Sequence, residues 1–300
     1  MKRKVNLVGQ NTLTISLPTS WAKINNISKG DELDVLEDKS ALVVSKSRRE
    51  LTGLGTKTLD INSADKFMTR LVSGPYRHGY NKIKINFKDP GVVDKVQSKL
   101  DMLHGFELID QGENYCVLKN IMQGNETELD DIIKRIFMIT INMFKESYDA
   151  ISKKQFERLP NIAKLERMNS RLVDFCKRLL NLYDYEEPQK AKELYYILGM
   201  FEEFADDFRD ICAVVCDNKL ILNNSTLLVL KAASEHFSKI YTCYYDHKKF
   251  DKNRQKINSK KILKDIFGAY SKAKKSESIV LAYLQAIILR SHHVIEEIQV

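Results

Sequence analysis

From about Asn125 to the end of the chain, apolar residues recur at helical spacing and no strand pattern returns. That change of rhythm limits the possible folds more than any single motif does. Leu129, Ile132, Ile133, Ile136, Phe137, Met143 and Phe144 form one stripe of a long helix, with Asn125 or Thr127 as its cap. Pro160 opens a second helix carrying Ile162, Leu165, Met168, Leu172, Phe175, Cys176 and Leu179. Pro188 opens a third, whose stripe runs from Leu194 through Phe201 and Phe208 to Val215. A break at Asp217 to Ser225 precedes three more helices, predicted over Thr226–His247, Lys260–Ala273 and Glu277–Ile298. Three helices, a break and three helices read as a duplicated bundle unit, at 125–218 and 224–300.

Upstream the period is two. Thr58–Ile61, Asn81–Phe87, Phe106–Ile109 and Tyr115–Leu118 alternate as strands, the last two forming a hairpin across Gln111-Gly-Glu. Between them, Ala64–Val72 reads as a helix with Phe67, Met68 and Leu71 inward. Val92–Leu103 reads as another, with Val93, Val96, Leu100 and Leu103 at helical spacing. This order predicts a small α+β domain over 56–122. It has no Gly-rich phosphate loop. Tyr76 and Arg77-His-Gly-Tyr80 could form a site, but a helix end and a turn account for them as well, and the structural reading is preferred.

Residues 1–48 form a further unit that is too small to close a core. Asn11-Thr-Leu-Thr-Ile-Ser-Leu17 alternates as a strand, and Pro18 ends it for want of an amide hydrogen. Thr19 or Ser20 caps a short helix with Trp21, Ala22 and Ile24. Ile27 to Asp31 turns the chain, Glu32–Glu37 alternates again with Leu33 and Val35 on one face, and Ala41–Val44 is a last strand. Short strands with one apolar face need a second layer. The simplest second layer is another copy of the same segment, so it reads as a dimeriser. Residues 45–57, with Ser-Lys-Ser-Arg-Arg-Glu and two glycines, read as a linker.

The net charge of +8 favours an anionic partner without choosing among DNA, RNA and lipid headgroups. The five cysteines include no C-x-x-C pair, and an odd number cannot all pair within the chain, which favours reduced thiols. Met-Lys-Arg-Lys imitates a signal-peptide start, but Asn6, Gly9, Gln10 and Asn11 interrupt any apolar region. The run Ile279–Leu289 is shorter than the roughly 20 residues of a spanning helix. A soluble, cytoplasmic protein is expected.

In the helical half, Glu202, Asp206 and Asp210 recur every four residues, so their carboxylates stack along one face away from the apolar stripe. Carboxylate oxygens are hard-cation ligands. By spacing alone, a solvated acidic face is the better reading. His292 with Glu296, and His293 with Glu297, stand at i,i+4 and could hold a metal, although histidine is also favourable near a helix C-terminus. Lys248–Lys264 is lysine-rich across a predicted loop and could touch nucleic acid; a solvated connection is preferred. Cys212 and Cys216, one turn apart, suit core packing at least as well as redox chemistry. No nucleophile, base and orienting group fall together, so no enzyme is expected.

Gly9-Gln-Asn-Thr12, the strand end Ser16-Leu-Pro18, Trp21-Ala-Lys23 and the turn Ile27-Ser-Lys-Gly-Asp31 resemble the AbrB/SpoVT swapped-hairpin family. The resemblance implies an intertwined homodimeric barrel that binds DNA or pairs with a partner. On it, Arg3, Lys4, Asn11, Thr12 and Lys23 are the expected DNA-contacting residues. The cations would position the dimer on phosphates, and Asn11 would reach bases. Lys23 matches one of two basic positions after the family's proline. Ala22 stands at the other, and Gln10 replaces an arginine found in part of the family.

Phe201-Glu-Glu-Phe-Ala-Asp206, set in paired three-helix bundles, resembles the Leu-Glu-Arg-Ile-Ala-Asp signature of the PhoU family of phosphate-uptake regulators. That family's acidic surface holds metal clusters, which makes Glu202 and Asp206 candidate ligands of a divalent or ferric ion. The other motif positions depart from the pattern. Glu166 is followed by Ser170 where an aspartate belongs, and Ala286 and Arg290 occupy the acidic pair of the last helix, so one weak site or none is expected.

The whole order of parts resembles archaeal-type phosphate-uptake regulators. It implies a multidomain α+β chain: a swapped-hairpin β-barrel half, a small α+β domain and a PhoU-like pair of three-helix bundles. The implied function is a homodimeric DNA-binding transcriptional regulator of phosphate uptake and homeostasis, without membrane insertion. Its helical half would sense, or dock on a phosphate transporter or signalling protein. The alternative is a regulator acting by protein interaction without DNA.

Overall fold

The computed structural model describes residues 2–9, 11–38, 41–45, 54–62, 68–122, 129–182, 188–245 and 251–297. The mixed α+β chain has a small N-terminal strand region and a long C-terminal helical region. It divides into two units, Met1–Gly55 and Thr56–Val300.

In the first unit, β1 (Val5–Val8) pairs antiparallel with β2 (Thr12–Ile15), and β3 (Asp34–Asp38) with β4 (Ala41–Ser45), as two separate two-stranded sheets. Strand β1 has no counterpart in the sequence reading, because four residues are too few for alternation to stand out. The turn between β1 and β2 uses Gly9 at φ +71°, where a side chain would be strained. Helix α1 (Thr19–Ile24) starts directly after Pro18, which takes the cap position with no side-chain bond to help it. Thr19 and Ser20 are therefore helical residues and not caps.

In the second unit a four-stranded sheet has the order β5-β6-β8-β7, formed by β5 (Leu54–Ile61), β6 (Tyr80–Phe87), β7 (Phe106–Gln111) and β8 (Tyr115–Asn120). Both β6 and β7 run antiparallel to β8, and the ladder slips between Leu108 and Asp110. Ile83, Ile85, Phe87, Cys116 and Leu118 are buried, while Lys82 and Lys84 alternate with them on β6 as the predicted period requires. The buried residues pack with helix α2 (Met68–Arg77) and helix α3 (Gly91–Leu100) through Met68, Val72, Val92 and Val96.

Helix α2 extends five residues beyond the expected Val72, through Pro75, and it buries Met68, Val72, Pro75 and Tyr76. Leu71 is half exposed and not inward. The inward line runs at i, i+4 from Met68, one residue off the predicted stripe. Phe67 lies outside the described residues, as do Asn125 and Thr127 and the expected boundary near 122–125.

The helical region comprises α4 (Leu129–Ser152), α5 (Leu159–Ala163), α6 (Leu165–Leu182), α7 (Pro188–Asp217), α8 (Asn224–Tyr245), α9 (Lys252–Tyr270) and α10 (Lys275–Glu297). The helix predicted from Pro160 is interrupted at Lys164 into α5 and α6. One apolar core runs through all of them. Phe144 of α4 sits between the rings of Phe208 and Phe237, at centroid distances of 3.7 and 4.3 Å, joining both sets of long helices. Asn223 closes the break between α7 and α8. Its side chain accepts from the Thr226 amide, and its own amide donates to the buried Glu277 carboxylate at 2.6 Å. Among the described residues only α10 is long and apolar enough to cross a membrane. Its Val280, Leu281, Leu284, Ile287 and Ile288 are buried in the core, as in any central helix of a bundle.

Sheet and helices are locked together by Arg178 of α6, which is 2% exposed. Its guanidinium donates to the carbonyls of Tyr76 and Tyr80 at 2.8 and 2.9 Å and to Asn81 Oδ1 at 2.9 Å. It also lies over the rings of Tyr76 and Phe106, about 5 Å from each centroid. Asn181 donates to the Arg77 carbonyl, and Arg77 pairs with the buried Asp174 at 3.2 Å. Gly79 lies in the same seam at φ +91°, where an added Cβ would meet Leu182 at 3.0 Å.

Arg178→Ala leaves two carbonyls and an amide oxygen without this donor, a loss of about 3 kcal/mol or more. Arg178→Lys is expected to rescue little, since one ammonium cannot reproduce the fork or the ring stacking. Urea unfolding followed by circular dichroism measures both.

Candidate nucleic-acid interface and the acidic row

The DNA-contact candidates lie on the first unit. Arg3 and Lys4 precede β1, Asn11 and Thr12 follow the turn, and Lys23 sits in α1; all five are exposed. Val8 pairs with Thr12 and Val5 with Ile15, so Arg3 and Lys4 stand at one end of the hairpin and Asn11 and Thr12 at the other. The structure does not draw these five residues into one cluster within a single chain. Arg3, Lys4 and Lys23 have no ion pair among the described residues. Gln10 lies outside the described residues.

The same hairpin exposes an apolar face. Val5 lies opposite Ile15 and Leu7 opposite Leu13, so the four side chains share one side of the ribbon. They are between 55% and 70% exposed, and Ile24, Val35 and Leu42 are exposed as well. An isolated two-stranded ribbon is marginal in water, and nothing among the described residues of its own unit covers this face.

On α7 the acidic row is neutralised from within the chain. Glu202 accepts from Lys177 at 2.9 Å. Asp206 pairs with Arg209, which also reaches Asp210 at 2.9 Å and Glu166 at 3.6 Å. A second row one residue on, Glu203 and Asp207, is held by Arg290 of α10. Burial pushes the Asp206 carboxyl up against the pull of Arg209, and it takes Asp207 up to about 6 despite Arg290. Ser170, at the position of a missing aspartate, donates to Glu166 at 2.9 Å. Lysine and arginine hold the places a metal would need, and among the described residues no three His, Cys, Asp or Glu side chains converge on one point. The donor set around Glu202 and Asp206 fits ion pairs and does not fit a metal cluster.

The sequence reading did not assign Lys177, Arg209 and Arg290 to these carboxylates. Their signal was Lys177 at a buried helix position and Arg290 at a half-buried one, where an unpaired cation is rare.

The i,i+4 histidine pairs are likewise engaged or exposed. His292 Nε2 bonds Ser259 Oγ, and Glu296 pairs with Lys256 at 2.9 Å, while His293 is exposed. Beside them lies a histidine not singled out from sequence. His236 of α8 is 1% exposed, with Nε2 at 3.0 Å from Ser291 Oγ and Nδ1 at 3.2 Å from Asn258 Nδ2. Burial, reinforced by His292 and Lys239, lowers its pKa to about 4. The buried Cys212 contacts Ser147 Oγ at 3.2 Å, and burial takes its thiol up to about 11, which suits packing and not thiolate chemistry.

The profile of a family described as antidote-toxin recognition MazE, bacterial antitoxin, matches residues 8–52. The N-terminal unit is thus similar to MazE/AbrB-type domains. No curated protein matches the chain. Among solved structures, a PhoU-like phosphate regulatory protein from Shewanella oneidensis MR-1 is similar at 9% identity and a TM-score of 0.39, over 56% of this chain and 96% of that one. Likeness of that degree carries no inference to activity.

Because His236 binds a proton more weakly in the folded protein than the usual 6.5, the unfolded chain gains protons first on acidification. Its contribution is complete above pH 6.5 and is lost between there and pH 4, by roughly 3 kcal/mol in all. The stability difference between wild type and His236→Gln, measured by urea unfolding across that range, is expected to shrink as the pH falls.

Proposed function

We propose that the protein is a homodimeric, DNA-binding transcriptional regulator of phosphate uptake that works in the cytoplasm. The observation that carries the reading is the uncovered face of Val5, Leu7, Leu13 and Ile15. Four neighbouring aliphatic side chains on a two-stranded ribbon call for a second layer, and an identical ribbon supplies a self-complementary one. The similarity of residues 8–52 to MazE/AbrB-type domains supports pairing through this segment.

DNA as ligand is supported by Arg3, Lys4 and Lys23, exposed and without ion pairs among the described residues. Pairing two chains would double that set and bring its two copies onto one assembly. The cations would neutralise phosphates, while Asn11 and Thr12 supply polar groups for base edges. Regulation of phosphate uptake rests on the resemblance of Phe201–Asp206 to the PhoU signature, with the helical region as the part that senses or docks on a transporter or signalling protein. In this reading the helical region is held by built-in cations and not by metal, since Lys177, Arg209 and Arg290 already meet the acidic rows. A second reading, protein recognition without DNA, is favoured by the matched family's own description as a toxin-recognition domain.

Leu7→Asp or Leu13→Asp is expected to convert the dimer to a monomer in sedimentation equilibrium while leaving the second unit folded. On duplex DNA, the logarithm of affinity should fall with log salt by about 0.9 per phosphate neutralised. Arg3→Ala and Lys4→Ala should each flatten that slope by about 0.9 for every phosphate the wild-type side chain neutralises. A dimer with no DNA shift at low salt selects the second reading, and a wild-type monomer defeats both.

A further inference from the structure

The helix predicted from Lys260 starts earlier, so the lysine-rich stretch read as a loop before it is, from Lys252 onward, part of helix α9, capped by Asp251 accepting from the Arg254 amide. Nineteen residues extend about 28 Å. They hold six lysines and arginines against the single Asp265, a net +5 of the chain's +8. Ser259, Ile262, Ile266 and Ala269 are buried, which fixes the helix's rotation. At 3.6 residues per turn, Arg254, Ile257, Lys260, Lys261 and Lys264 then share the outer face, with Phe267 at one edge and Asp265 at the other.

Two features separate this face from an ordinary solvated one. Arg254, Lys260, Lys261 and Lys264 are exposed and have no carboxylate partner among the described residues; Lys256, by contrast, is paired with Glu296. Ile257 and Phe267 are 68% and 61% exposed along the same ridge. Cations alone would serve a nucleic-acid backbone, which has no use for the two apolar side chains. A convex ridge also offers no groove to a protein segment. Cations flanking aliphatic and aromatic side chains are what the boundary between anionic headgroups and acyl chains accepts.

We propose that the outer face of α9 docks peripherally on an anionic membrane surface. Its lysines and arginine would meet lipid phosphates and carboxylates, and Ile257 and Phe267 would enter the headgroup layer. The proposal is independent of the DNA-binding reading, because it uses none of that reading's residues.

The test is co-sedimentation of the full chain with vesicles of phosphatidylcholine, with and without phosphatidylserine. Wild type should bind only the anionic vesicles. At about 1 kcal/mol per cation near such a surface, the triple variant Lys260→Ala, Lys261→Ala, Lys264→Ala should bind about a hundredfold more weakly. Phe267→Ser should bind at least about tenfold more weakly. All of these side chains are exposed, so the variants should keep the wild-type thermal midpoint. Equal binding to both vesicle types, or vesicle binding unchanged in the triple variant or in Phe267→Ser, overturns the proposal. So does a triple variant that loses duplex DNA affinity while keeping vesicle affinity. Loss of vesicle binding in Arg3→Ala, Lys4→Ala alone would move the lipid-binding face to the N-terminal unit and equally defeat the assignment.

Discussion

A single buried guanidinium makes one body of what the sequence presents as two. Arg178 projects from α6 into the layer formed by α2 and the sheet, and it meets the carbonyl oxygens of Tyr76 at the helix end and of Tyr80 at the start of β6. A charge so deeply placed is tolerable only with several partners. Two carbonyls, an amide oxygen and two aromatic faces meet that condition. Without those bonds the strand-rich layer would lose its buried polar tie to the helices. With them, the orientation of the sheet is set by the rotation of one helix. Tyr76 takes part through its backbone and ring, while its hydroxyl donates to the His104 carbonyl, so the Tyr76–Tyr80 stretch is architecture.

Ion pairing also organises the acidic rows of α7. A four-residue period of carboxylates is ambiguous in sequence: it suits a solvated face, a metal surface or a set of salt bridges equally well. The neighbours decide: Arg209 stands on α7 itself, while Lys177 and Arg290 come from α6 and α10, twenty-five and more than eighty residues away in the chain. Arg290 is the clearest case. Where the resembling motif carries acids, this chain carries a guanidinium, and that group turns to the acids it faces on α7. Asp207 keeps a raised pKa even so, because its burial outweighs the attraction of one partly exposed arginine.

Most elements were legible in the sequence where burial is one-sided and long. The six long helices follow from apolar stripes, and Ile83, Ile85 and Phe87 follow from alternation on β6. Reading failed where the inward face is polar or the element is short. The first turns of α9 turn Gln255, Asn258 and Ser259 inward toward His236 and His292, so the helical period vanishes from any scan for apolar residues. Helix α2 runs past the expected end at Val72 and through Pro75, although proline there gives up the bond to the carbonyl four residues back. The candidate contacts on the first unit were found as residue types. What would join them is the proposed pairing between chains, and no single chain's sequence spells that out.

The bare ribbon β1–β2 gives this chain two kinds of stability. Residues 56–300 carry their own apolar core, and their unfolding is a property of one molecule. The first unit exposes the side chains that would form its core, so whatever completes it enters its folding equilibrium by mass action. Dilution would then loosen the amino-terminal end while the rest stays intact, and the abundance of the protein would itself set the fraction of chains in which that end is structured.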